Sequence, residues 1–449
     1  MSNALSDNRE PERRVLDAAQ ISAVVRQHLE FRARRGGKRA DFRFCEITRF
    51  DLSSVDLSEA DFTGAKLSRC RFSGTKLREA NLYGADLRGC DFSGCMLDKA
   101  DMRGACLHGA DLTGASMVDV DMREGVIVIG DGEGGLTPAG FDIHYTEVAG
   151  VRAGAADMTR AKLSNAFVMQ TDLTGAILRD ADLSRINLTN SDLTGCDLRG
   201  ANLTEATLSG AVLNGAEMRG AKMDRTNLHN ANLVGALYDP EMLTTAICTG
   251  VRMAKAVGSL RKPLADVIAA HEVWMNSNGH EGARANLSEF DLRGQMLARR
   301  RLAAAVMRSA VLEDCDLSHA VLTTADMSLC DMRGAKLADA DLRGVNFRWA
   351  TLNGAVLDGA KLSPVNITGA ASFVWHTDLS HARLTTASLR GADLSNAHLM
   401  EADLSEADLT GADLTGAVLK GAKLVDAKMD KVKLDGADLT DAVGLPKAQ

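Results

Sequence analysis

From Phe42 onward, every fifth residue of this 449-residue chain is Leu, Phe, Met or Ile. The series opens Phe42, Ile47, Leu52, Leu57, Phe62 and runs unbroken to Met122. Two residues before each centre stands a small residue, as at Ala60, Ala65, Cys70, Thr75 and Ala80. The residue just before the centre is often Asp or Asn, and Gly is frequent two after it. A period of five fits neither a helix at 3.6 nor a strand at 2. It fits a backbone that turns a corner every five residues, so that four units make one square coil of about 20 residues, stacked on the next at about 4.8 Å. The centre is then large and apolar, and the position two earlier is small because large side chains already crowd each layer.

The phase breaks after Met122, resumes at Met158 and runs to Leu233, with Val168 a weak member. It resumes again at Leu287 and reads through to Ile367, slips by two residues around Ser372–His376, and ends with Leu379 to Leu439. In all, 63 units account for 315 residues. Aromatic residues make up 4% of the chain and glycine is plentiful at 41 residues, which suits an interior of small and aliphatic side chains.

The pattern, as in Ala85-Asp86-Leu87-Arg88-Gly89 and Ala412-Asp413-Leu414-Thr415-Gly416, resembles the pentapeptide-repeat family over about 70% of the chain. The resemblance implies an all-β solenoid, a right-handed quadrilateral β-helix, and no single activity, since function resides in sites rather than folds.

A larger repeat is superimposed. Ile21, Val24, Val25, His28 and Phe31 have helical spacing, and Leu264, Val267, Ile268, His271 and Trp274 repeat it at a constant offset of 243. Each set is followed by a Gly-containing turn, two residues longer in the second copy, and then by a long repeat block. An open coil end exposes strand edges and apolar interior, and repeat arrays need caps. The expectation is therefore two tandem β-helical segments, each preceded by a capping α-helix. The N-terminal tail and first cap occupy 1–40 and the first β-helix 41–237, with a loop insertion at 126–157. A connection with the second cap spans 238–285, and the second β-helix spans 286–449. His28, Phe31, His271 and Trp274 are the candidate cap positions.

The insertion contains Val126-Ile127-Val128-Ile129, then Asp131-Gly132 and Phe141-Asp142-Ile143-His144-Tyr145. It reads as a hairpin whose return strand is 141–145. Its glycine spacing is wrong for a phosphate loop, and Asp131 and Glu133 would repel one. Asp131, Glu133, Phe141, His144 and Tyr145 are the candidate interaction loop, since loops on a rigid scaffold carry function. Seven of the nine cysteines occupy the small inward position, where Cys serves as a small core residue. Cys106 and Cys248 lie outside that pattern. No catalytic triad, HExxH motif or paired histidine ligands occur, so the chain is read as non-enzymatic, with no cofactor and no metal. An enzyme site near His271, Glu272, His280 and Glu281 is the weakest alternative.

Lys and Arg number 52 against 60 Asp and Glu, a formal net charge of −8, too dilute and mixed to draw nucleic acid. No run of about 20 apolar residues offers a membrane span, and the first residues show no apolar signal segment. The function expected is a cytoplasmic scaffold for protein–protein interaction with an unnamed protein partner. The alternative, raised by the resemblance, is a DNA-mimicking regulator of a type II topoisomerase (gyrase). The chain is roughly twice as long as those proteins, lacks a C-terminal dimerisation element, and carries less negative charge.

Overall fold

The computed structural model describes residues 14–124, 128–130, 136–138, 150–166, 168–367 and 373–445. In chain order its elements are β1 (Arg14–Val15), α1 (Ala18–Arg32), β2 (Cys45–Glu46), β3 (Val128–Gly130), β4 (Leu136–Pro138), β5 (Lys255–Ala256), α2 (Leu264–Asn276), β6 (Phe290–Asp291), β7 (Val365–Ile367) and β8 (Phe373–Trp375). The chain divides into two compact units. One comprises residues 1–232 and 238–251, the other 233–237 and 252–449.

Within each unit most of the chain is a solenoid held by single parallel bridges between residues 20 apart, such as Asp41 with Asp61 and Asp61 with Asn81. Each step has the same two bonds. Leu67 N–H donates to Asp86 O at 2.8 Å, and Asp86 N–H donates to Ala65 O at 2.9 Å. The chain turns at the residue two after each centre, which takes left-handed φ whether it is Gly64 (φ 61°), Arg69 (61°) or Trp349 (60°). Most centres and small inward residues are buried, as Leu67 and Ala65 are completely, whereas the centres of the last coil, Met429, Leu434 and Leu439, are only partly covered. Phenylalanine centres stack one coil apart, Phe42 on Phe62 at 5.0 Å and Phe72 on Phe92 at 4.9 Å.

Polar residues at the small position are tolerated because they donate to the preceding coil. Thr75 Oγ1 reaches Leu52 O at 2.7 Å, and Cys90 Sγ reaches Leu67 O at 3.0 Å. Burial pushes the Cys95 thiol up to about 12 and Cys315 up to about 11, so these thiols stay protonated. Cys106 and Cys248 are half-buried rather than inward.

The repeat boundaries differ from the sequence reading in three places. Asp111 bridges Arg152, so the solenoid resumes one unit before Met158. The centre of that unit is Ala153, too small to register as a centre. A void of about 20 Å³ beside it is lined by Met117, Met122 and Met158 among others. In the second unit the bridge offset rises from 20 to 32 at Asn346–Asp378, an excess of twelve. Here lies the antiparallel hairpin β7–β8, in which Ile367 pairs with Phe373. Twelve is two beyond a multiple of five, which is why the sequence showed only a two-residue slip and Ile367 kept an apparent phase. Finally, β3 pairs with β4 in the register Val128–Pro138, so the partner of β3 is Leu136–Pro138, while residues 141–145 lie outside the described residues.

Candidate interaction surfaces

The two helices lie on the first coils of their units. Along the solenoid, the amide of the small inward residue commonly donates to the carbonyl three residues earlier, as Ala60 does to Leu57 at 3.1 Å. Ala40 and Ala285 open their coils and have no preceding corner. His28 Nδ1 accepts the Ala40 N–H at 3.0 Å, and His271 Nδ1 accepts the Ala285 N–H at 3.1 Å. Both imidazoles are fully buried. Burial holds both pKa values below the ordinary 6.5, against an opposing pull from Asp56 on His28. The neutral ring with Nε2 protonated is the form this geometry requires. Phe31 stacks on His28 at 5.9 Å and Trp274 on His271 at 5.5 Å. Arg32 ties α1 to Glu59 and Asp56, and Arg300 approaches Glu272 of α2 at 3.8 Å.

His271, Glu272, His280 and Glu281 do not converge. His271 is fully buried, Glu272 faces Arg300 and Arg301, and His280 and Glu281 are exposed in the following turn. Among the described residues, no three His, Cys, Asp or Glu side chains are placed to hold a metal ion. The proposed loop residues Asp131, Glu133, Phe141, His144 and Tyr145 lie outside the described residues.

A surface that the sequence reading overlooked is the hairpin of the second unit. Phe373, Val374 and Trp375 are 49%, 50% and 44% exposed, three large apolar residues in succession. The Trp375 ring lies over the corner of Gly344, where a Cβ would come within 3.3 Å of it. The chain re-enters the solenoid through buried Thr377, whose Oγ1 accepts the Gly344 N–H at 2.8 Å in place of a ladder carbonyl. Beside it, His376 stacks on His398 at 4.6 Å and Trp349 on His381 at 4.1 Å, with Glu401 at 3.2 Å from His381. Two of the chain's three tryptophans are here. A helical or strand period could not flag them, because Trp349 is a corner residue and Trp375 lies in the extruded hairpin.

On the solenoid faces, carboxylates are matched by arginines two residues on. Arg43 and Asp41, Arg103 and Asp101, Arg123 and Asp121 and Arg343 and Asp341 form two-point pairs, with Nη2 to carboxylate distances of 2.6–2.7 Å. Glu217, almost fully buried, is likewise held by Arg219 at 2.7 Å.

The 20-residue bridge period and the five-residue corners define a solenoid of pentapeptide repeats, and the chain belongs to the pentapeptide-repeat family, whose fold is the right-handed β-helix. The family's model, which spans eight repeat copies, matches residues 38–74, 75–123, 154–190, 169–204, 201–237, 301–339, 330–369, 375–405 and 402–441, well over half of the chain. Among solved structures, QnrB1, a plasmid-mediated fluoroquinolone resistance protein, is 20% identical over 46% of this chain and 91% of its own, with a TM-score of 0.29. HetL, a pentapeptide repeat protein involved in heterocyst differentiation regulation from the cyanobacterium Nostoc, is 21% identical over 96% of this chain and 99% of its own, with a TM-score of 0.13. A pentapeptide repeat protein from the thylakoid lumen of Arabidopsis thaliana is 28% identical over 20% of this chain and 63% of its own, with a TM-score of 0.20. A search among curated proteins found no match.

Proposed function

We propose that this protein is a non-enzymatic, cytoplasmic scaffold for protein–protein interaction. In this reading its four-sided coils form two tandem segments, each preceded by a capping helix, and they hold a partner-binding surface at the β7–β8 hairpin. The observation that carries the reading is the exposed run Phe373-Val374-Trp375 on a hairpin extruded from an otherwise regular coil. Exposed aromatic clusters on rigid supports are where interface energy concentrates. The inward cysteines, packed as protonated thiols, suit a reducing compartment. The DNA-mimic reading needs a dense, unbroken negative face, and the recurrent Asp–Arg pairs do not supply one.

The test is affinity capture by the full chain against a Phe373→Ser/Trp375→Ser variant, with captured proteins identified by mass spectrometry. A defined partner that binds the parent and is lost from the variant supports the reading. Retention of every partner by the variant removes the hairpin from the function. Capture of gyrase subunits, unaffected by the variant, favours DNA mimicry instead.

A further inference from the structure

One face of the first unit carries a groove of about 580 Å³, lined by Glu46, Arg49, Lys66, Arg69, Arg88 and His108 among others. Its four arginine and lysine side chains meet one lining carboxylate, in a chain whose net charge is −8. Two of these cations are already matched. Lys66 Nζ is 3.1 Å from Glu46, and Arg88 makes a two-point pair with Asp86 at 2.8 and 2.7 Å. Arg49 and Arg69 are different. They sit at successive corners, joined through the Arg49 N–H to Ser68 O bond, and both side chains are exposed. Among the described residues neither has a carboxylate within 4.0 Å. Adjacent coils are about 4.8 Å apart, so two unmatched positive charges stand one coil from each other. Gly89, the next corner in the column, leaves room for the Arg69 stem, whose Cγ would lie 3.4 Å from a Cβ there.

We propose that this groove binds a phosphate monoester, with the dianion held between the guanidiniums of Arg49 and Arg69. A carboxylate would compensate one of the two charges, whereas a phosphate monoester carries close to two at neutral pH and offers three oxygens to planar guanidinium donors. The groove is in the size range of small-ligand sites, so it has space for the group that bears the phosphate. The inference is independent of the hairpin and stands whether or not a partner binds there.

The test titrates the full chain at low salt with O-phosphoserine, adenosine monophosphate and inorganic phosphate, read by 31P NMR and calorimetry. Arg49 and Arg69 have φ of 56° and 61°, which glycine adopts without strain, so the Arg49→Gly/Arg69→Gly variant keeps the fold. Saturable binding is expected, weakened at least about tenfold in that variant, as loss of charge-assisted bonds predicts. An Arg71→Gln/Arg78→Gln control, whose arginines pair with Asp51 and Asp98, is expected to bind as the parent does. Tightest binding of phosphoserine identifies a modified protein as the source, and tightest binding of the mononucleotide identifies a nucleotide-like ligand. Absence of saturable binding by all three probes overturns the proposal. So does an equal loss in the control, which reduces the effect to general attraction.

Discussion

The helices α1 and α2 solve one problem with different parts. The first begins with a reciprocal cap in which Gln20 N–H donates to Asp17 at 2.8 Å and Asp17 N–H donates to Gln20 at 2.9 Å. The second begins at Pro263, with no side-chain cap. The first buries Ile21, whose counterpart Leu264 is half-buried, and the second instead buries Ile268, the counterpart of Val25. The second turn is longer by two residues, and Ser277 bonds the Glu281 N–H across it at 2.8 Å. What does not vary is the histidine on the first inward amide and a glycine at φ 77°, Gly37 or Gly282. The next residue's amide is bonded to the helix, Lys38 to Gln27 O and Ala283 to Ala270 O. The helix start is therefore replaceable, while the closing of the coil edge is fixed by geometry.

The comparison is broken most strongly at the glycines. A Cβ at Gly37 would collide with the Gln27 carbonyl and the Phe31 amide, and at Gly282 with the Ala270 carbonyl and the Trp274 amide. Gly37→Ala and Gly282→Ala are each expected to lose about 3–5 kcal/mol, read by calorimetry of the full chain. A small effect at either would show that its turn is free to move.

Next in size are His28→Leu and His271→Leu. Each leaves a buried N–H without an acceptor, a loss of about 1–3 kcal/mol by denaturant unfolding. Unequal losses would show that the two histidine contacts are not equivalent. The pH dependence follows from the depressed pKa values. The unfolded chain takes up a proton below about 6.5 while the folded histidine resists it. The contribution is full above that pH and is lost as pH falls toward the folded value. Between these limits the parent's stability should drop with acid, and the double leucine variant should lack that part of the slope.

The smallest effects sharpen the difference between the helix starts. Asp17→Ala should lose about 1 kcal/mol. Pro263→Asp should gain up to about the same by supplying the missing cap. Both are read as shifts in denaturation midpoint. A gain absent at 263 would mean that the proline's rigidity already offsets the missing bond.

Much of the fold was legible because a five-residue period admits few backbones, and the two helices were legible because five positions recur at one offset. The errors arose where a count along the chain stood in for a position in space. Ala153 fills a centre with too small a side chain to be seen, and Ile367 matched the phase while lying in a hairpin. The site was less legible. Phe373 and Trp375 carry no periodic signal, and their exposure follows from an extrusion whose length sequence phase reveals only modulo five. Arg49 and Arg69 are 20 residues apart and look like ordinary surface charge until the coils set them side by side and the neighbouring carboxylates prove to be engaged elsewhere.

The ladder crosses its interruptions without losing register. Asp111 meets Arg152 and Asn346 meets Asp378 with the same parallel bridge that joins residues 20 apart elsewhere. The coil thus behaves as a pegboard. The chain leaves at a corner, carries an outgrowth of arbitrary length, and plugs back into the row above. An outgrowth can be lengthened, shortened or exchanged without renumbering the board, so a peptide grafted in place of the β7–β8 hairpin should be displayed at the same height while Thr377 still closes the seam.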